Sequence, residues 1–95
     1  MRITLATALV LQAIARGHRY GFDIVDVTGY PTGTVYPALH RMEQAGLVTS
    51  RWSREAGRRR RVYTLTTGGR RELEQRRGEW RQFAGAMQAI LEGGR

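Results

Sequence analysis

Apolar positions recur with a helical period along the first half of the chain. Residues 3–16 hold no glycine or proline and consist mostly of Ala, Leu, Ile, Val and Gln, which predicts a helix. Leu5, Leu9 and Ala13 line one face and Ile3, Val10 and Ile14 a neighbouring one. A helix apolar over most of its circumference needs two surfaces to bury against. The rest of the chain can supply one, and a partner subunit is a natural second. Gly17 stops this helix. A short second helix is expected over residues 20–28, with Tyr20, Ile24 and Val27 inward, Asp23 and Asp26 outward, and Gly29 as its left-handed cap.

After the turn Gly29-Tyr30-Pro31, Thr32 is expected to cap a third helix running to about Ala45. Val35, Leu39 and Met42 form its buried stripe, Pro37 falls within about the first turn, and Gly46 ends it. Two short helices joined by a tight turn make a helix-turn-helix. Beyond Gly46 the period changes. Residues 47–53 and 61–66 read as strands, with the polar run Arg54 to Arg60 as the loop between them. Residues 67–92 return to a helical period. With Leu73 as heptad position a, Trp80 and Met87 also fall at a, while Arg76, Phe83 and Ile90 fall at d. Gly78 and Gly85 lie at f, away from that seam. The last helix is marginal alone, so its apolar seam should be covered.

The fold class expected is mainly α with a small β-hairpin: a winged helix-turn-helix (residues 1–66) plus a C-terminal dimerisation helix (67–95) in one unit. The chain has 95 residues, too few for two cores. Its sixteen basic residues are all arginine against eight acids, a net charge of +8. That surplus points to a polyanion, nucleic acid before an anionic membrane surface. No apolar stretch reaches membrane-span length, and no helix opposes a basic face to an apolar one. Met1-Arg2 ahead of the first apolar segment outlines a secretory leader. Losing that segment would remove the largest apolar mass in the chain, so a core helix in a cytoplasmic protein is expected instead.

Cysteine is absent, His18 and His40 stand apart, and neither a phosphate loop nor metal-ligand spacing occurs. No catalysis, metal or cofactor is expected. The hairpin carries the strongest charge signal, since Arg51, Arg54, Arg58, Arg59, Arg60 and Arg61 against Glu55 give +5 in eleven residues. Such a run is often only a solvated face, but directly after a helix-turn-helix it is placed as a wing on nucleic acid. Strand alternation sends Arg59 and Arg61 to one side and Arg58 and Arg60 to the other, so the four cannot all contact DNA at once. On the third helix, Thr32, Gly33, Thr34, Tyr36, His40 and Arg41 are the candidate contacts. Tyr36 could equally be a half-buried packing residue, and Arg41 a solvated charge. Trp52 reads as a core or wing-base residue.

Three segments also resemble a known family. Arg19-Tyr20-Gly21-Phe22-Asp23-Ile24, then Pro31-Thr32-Gly33-Thr34-Val35-Tyr36-Pro37 through Leu39…Met42-Glu43…Ala45-Gly46-Leu47-Val48, and Arg59-Arg60-Arg61-Val62-Tyr63-Thr64-Leu65-Thr66 with Gly69…Leu73, are similar to the PadR-like transcriptional regulators. The resemblance implies a dimeric winged-helix repressor on double-stranded DNA, its C-terminal helix pairing the subunits. Thr32 replaces a frequent Ser, His40 a frequent basic residue, and Gly68 a frequent acid. The C-terminal helix reads as single and short, so an effector pocket built by a longer C-terminal domain is not expected. Leu5, Leu9, Leu73, Trp80, Phe83, Met87 and Ile90 are the expected dimer contacts. By analogy with related regulators, a flat hydrophobic effector could lie against Trp80, with plain packing as the alternative. Two rival classes remain: an arginine-rich RNA-binding module, and a protein–protein adaptor on a winged helix.

Overall fold

Thr4 starts the first helix. In the computed structural model, which describes residues 3–55 and 57–93, its Oγ1 accepts a hydrogen bond from the Thr7 N–H at 3.2 Å, and α1 runs Leu5–Ala15. The leader-like Met1-Arg2 and the loop residue Ala56 lie outside the described residues. The inner face of α1 is Thr7, Val10, Leu11, Ala13 and Ile14. Leu5 and Leu9, in the same expected stripe as Ala13, are instead 64% and 40% exposed.

The second helix, α2, spans Gly21–Thr28. Its contact ridge is Gly21, Ile24, Val25 and Thr28, not the expected Tyr20, Ile24 and Val27. Tyr20 precedes the helix and Val27 is exposed. The reason is local: α3 approaches so closely at Gly21 that a Cβ there would run into the Tyr36 ring, which sets the rotation of α2. Gly29 then takes φ +76°, a left-handed conformation that glycine adopts without steric cost. Its N–H donates to the Val25 carbonyl at 3.0 Å.

The third helix, α3, spans Thr32–Gln44 and is capped by Pro31, not Thr32. The Pro31 carbonyl accepts from the Thr34 and Val35 N–H groups at 2.9 and 3.0 Å, and no side chain caps the helix. Pro37 therefore lies in the second turn and denies the Gly33 carbonyl its helical donor. Both residues are exposed, so water can serve that carbonyl. On the inner side Val35, Ala38, Leu39 and Met42 are wholly buried. At the far end Gly46 adopts φ +77°. Its N–H reaches the Glu43 carbonyl at 3.1 Å and the Leu47 N–H reaches that of Met42 at 2.9 Å, the pairing of a Schellman stop.

Strands β1 (Val48–Glu55) and β2 (Arg58–Leu65) pair antiparallel, from Val48 opposite Leu65 to Glu55 opposite Arg58. The expected loop is thus mostly strand: Arg54, Glu55, Arg58, Arg59 and Arg60 all sit in the ladder. Backbone pairing needs no apolar side chains, so an arginine run extends the hairpin once its base is anchored. Only the base is buried, through Val48, Val62, Tyr63 and Leu65.

Thr66 joins the hairpin to the last helix, α4 (Thr67–Gly93). Its hydroxyl donates to the Gly46 carbonyl at 2.6 Å and accepts from the Gly69 N–H at 3.0 Å. Of the 27 residues of α4 only Gly69 and Leu73 are buried. Leu73, assigned to the dimer seam by its heptad position, belongs to the chain's own core, because the first turns of α4 are pressed against Leu47 and α1.

A Cβ at Gly69 would collide with the Leu47 backbone carbonyl. Gly69→Ala should therefore cost about 1–3 kcal/mol or more. Gly78 and Gly85 meet nothing within 4 Å, so Gly78→Ala and Gly85→Ala should each stabilise by up to about 1 kcal/mol. Urea midpoints measure both signs.

Candidate nucleic-acid interface

The inner stripe of α3 fixes what its outer side displays. With Val35, Ala38, Leu39 and Met42 inward, Thr32, Gly33, Tyr36, His40 and Arg41 are exposed and Thr34 is half-buried. Tyr36 fills the expected packing role and keeps part of its surface free. Its ring lies over Gly21 and meets the Phe22 ring edge-on, with centroids 6.2 Å apart. It nevertheless stays 38% exposed. Tyr36 is thus a packing residue with a free edge.

The hairpin continues from the C-terminal end of α3 and divides its arginines between two faces. On one, Trp52 lies opposite Arg61, and the Arg59 and Arg61 guanidinium groups stand 4.4 and 5.2 Å from the Trp52 ring centroid. Trp52 is therefore half-exposed on the wing and not in the core. Its flat surface supports two cations where a small chain has no apolar pocket left for an indole. Arg61 also donates from Nε to Ser50 Oγ at 2.9 Å. Ser50 in turn donates to Glu43 Oε2 on α3 at 2.7 Å.

On the opposite face, the Arg60 guanidinium lies 5.0 Å from the Tyr20 ring centroid. Glu55 beside the Tyr20 hydroxyl, with some desolvation, pushes that phenol above its ordinary range. Burial does the same for Tyr63. Both phenols therefore stay neutral around neutral pH and offer O–H groups, not charge. Among the described residues, Arg51, Arg54, Arg58, Arg59 and Arg60 have no carboxylate partner within 4.0 Å, and Arg61 alone of the wing does. Arg54 stands directly across from Arg59, a like-charge pairing that favours an external anion. Glu43, Ser50 and Tyr20 were missed by sequence reasoning. Their roles depend on cross-strand register and on the hairpin's angle to α3, which no local pattern encodes.

A second surface lies on the other side of α1. Leu5, Leu9, Trp80 and Phe83 line an open cleft of about 780 Å³ between α1 and α4, with Leu73 at its floor. The Trp80 and Phe83 rings lie tilted with centroids 5.7 Å apart and are 59% and 55% exposed, and Met87, Ile90 and Leu91 extend the apolar stripe. Arg76 pairs with Glu79 at 2.7 Å and Glu72 at 3.3 Å, and the Glu79 hydrogen bond leads the effects that raise its pKa. Arg77 Nε donates to Gln12 Oε1 at 2.9 Å, tying α4 to α1. No cluster suited to a metal occurs among the described residues, and no described helix is long and apolar enough to cross a membrane.

Residues 10–75 match the model of the transcriptional regulator PadR-like family. The transcriptional regulator Rv3488 of Mycobacterium tuberculosis is 44% identical over 52 residues, covering 55% of this chain and 49% of the relative. The chain thus spans about half the length of that curated relative. A PadR family transcription regulator from Clostridium difficile has a similar structure, with a TM-score of 0.83 and 30% identity over 93% of this chain and 99% of that one. Bacillus subtilis PadR, solved in complex with operator DNA, shares the fold at a TM-score of 0.69 and 22% identity, over 76% of this chain and 46% of its own.

The contact of Tyr36 with Gly21 can be tested without DNA. Gly21→Ala should cost about 1–3 kcal/mol by overpacking. In combination with Tyr36→Ala the two losses should sum to less than their separate values. Strict additivity in urea unfolding would show that ring and glycine do not touch.

Proposed function

The chain belongs to the PadR-like family of transcriptional regulators, and we propose that it acts as a cytoplasmic homodimeric repressor that reads a pseudo-palindromic operator. One observation carries the reading: the exposed side of α3 and the arginine-rich hairpin are contiguous, so a recognition helix and a charged wing project together. The operator DNA bound to Bacillus subtilis PadR supports duplex DNA as the ligand. In this reading Thr34, His40 and the free edge of Tyr36 approach base edges in the major groove. Thr32, Gly33 and Arg41 serve phosphates, as do the wing arginines, Arg58 and Arg60 from one face or Arg54 and Arg59 from the other.

The dimer reading rests on leftover apolar surface. A helix with two buried residues in 27 does not persist through its last turns on propensity alone, especially with Gly78 and Gly85 within it. A second copy laid along Trp80, Phe83, Met87 and Ile90, and along Leu5 and Leu9 of α1, would bury the stripe in both chains. It would also place two recognition helices on successive major grooves, roughly 34 Å apart. The cleft beside Trp80 leaves room for a small hydrophobic effector at that seam.

Selection of duplexes from a random pool by the purified protein tests the reading. A two-fold-related pair of half-sites about one helical turn apart is expected, whereas recovery of unrelated sequences would favour an adaptor. Arg58→Ala and Arg60→Ala should each flatten the dependence of log affinity on log salt by about 0.9. An unchanged slope would remove the wing from the interface. Phe83→Glu should convert the dimer to monomer in sedimentation and weaken operator binding with it.

A further inference from the structure

Burial ends abruptly along the hairpin. Val62, Tyr63 and Leu65 are buried, and outward from the pair Trp52–Arg61 every described residue except the half-buried Ser53 is exposed. A two-stranded ribbon with neither face covered is marginal and free to twist. Its direction must therefore be set where the covered base gives way to the open tip, and Arg61 stands at that place.

Three groups of the protein already engage the Arg61 side chain. Nε donates to Ser50 Oγ at 2.9 Å, Nη2 lies 3.8 Å from Glu43 Oε2, and the guanidinium lies near the Trp52 ring. The Ser50 hydroxyl in turn donates a hydrogen bond to the same Glu43 oxygen at 2.7 Å. Glu43 sits in the last turn of α3, so the three residues bracket the helix to the hairpin.

We propose that Arg61 is a positioning residue: through Ser50 and Glu43 it fixes the angle between wing and recognition helix, and it contacts no phosphate. This rests on the DNA-binding reading and deepens it. The wing cation that is tied to α3 through Glu43 serves orientation, and backbone contacts fall to the arginines nearer the tip. Because the ion pair is exposed at both ends (40% and 35%), it adds little to stability, and its value is geometric. Arg59, at 4.4 Å on the same indole, extends that orientation outward.

Two measurements test the proposal. In the DNA-free protein, the Arg61 Nε–H cross-peak, assigned through Arg61→Lys, should be protected from solvent exchange and lose that protection in Ser50→Ala. Equal exchange in both proteins overturns the bracket. On a mixed-sequence duplex, Arg61→Gln should shift the plot of log affinity against log salt downward in parallel, by up to about fivefold, the size of an exposed ion pair. An unchanged affinity, or a slope shallower by about 0.9 as for a lost phosphate contact, overturns it too. If the wild-type protein bound no duplex, the DNA-binding reading would fail, and the exchange measurement would still decide the bracket.

Discussion

Four side chains on one face of α3 are withdrawn completely from water, and the placement of every functional group follows from that burial. Of Val35, Ala38, Leu39 and Met42, the three larger side chains pack with Val10, Leu11 and Ile14 of α1 and Ile24 of α2 in one cluster. Fully burying a residue the size of Val, Leu or Met stabilises by roughly 1.5–3 kcal/mol, so rotating α3 by one residue would forfeit a large part of the core. Its outer side is thereby fixed, although none of the residues there adds much to stability. The Schellman stop at Gly46 then sends the chain directly into β1, which holds the hairpin beside the same outer side.

How much of this was legible in the sequence depended on whether burial or pairing governed each element. The inner stripe of α3 and the Gly29 and Gly46 stops follow from apolar spacing and from glycine's tolerance of positive φ, and both are local properties. The hairpin's length does not. Arg54 to Arg60 reads as loop because polar residues carry no alternation of hydrophobicity, whereas the ladder there is held by backbone groups. The cap of α3 was misplaced for a similar reason: Thr32 has the right side chain, but Pro31 already supplies the extended backbone at that junction. Trp52 reads as a core or wing-base residue, and of these two the register excludes the core, setting it opposite Arg61 on the half-exposed wing.

The choice of arginine throughout has a physical consequence at the hairpin. A lysine ammonium is compact and strongly hydrated, while a guanidinium is planar and stacks. Stacking on Trp52 and Tyr20 lets the ribbon hold several like charges on two faces with extended, ordered side chains. Repulsion between Arg54 and Arg59 is the cost of that arrangement, and a bound polyanion would relieve it. The same hairpin is therefore least comfortable free and at low salt, where screening is weakest.

The core that fixes α3 also explains why apolar surface is left over. Once Val10, Leu11 and Ile14 are committed to α3, the other side of α1 can meet only the first half of α4, and beyond Arg77, which still bonds Gln12, that helix draws away from the body of the molecule. The long dimension of 58 Å against 24 and 21 Å reflects this departure. α1 consequently has one face on α3 and the other, through Leu5 and Leu9, on the cleft with Trp80 and Phe83. In the proposed dimer, any rotation of one subunit against the other must pass through a helix of 11 residues whose inner face is close-packed. Close-packed interiors transmit displacement instead of absorbing it, so the spacing of the two recognition helices is set by the packing along α1.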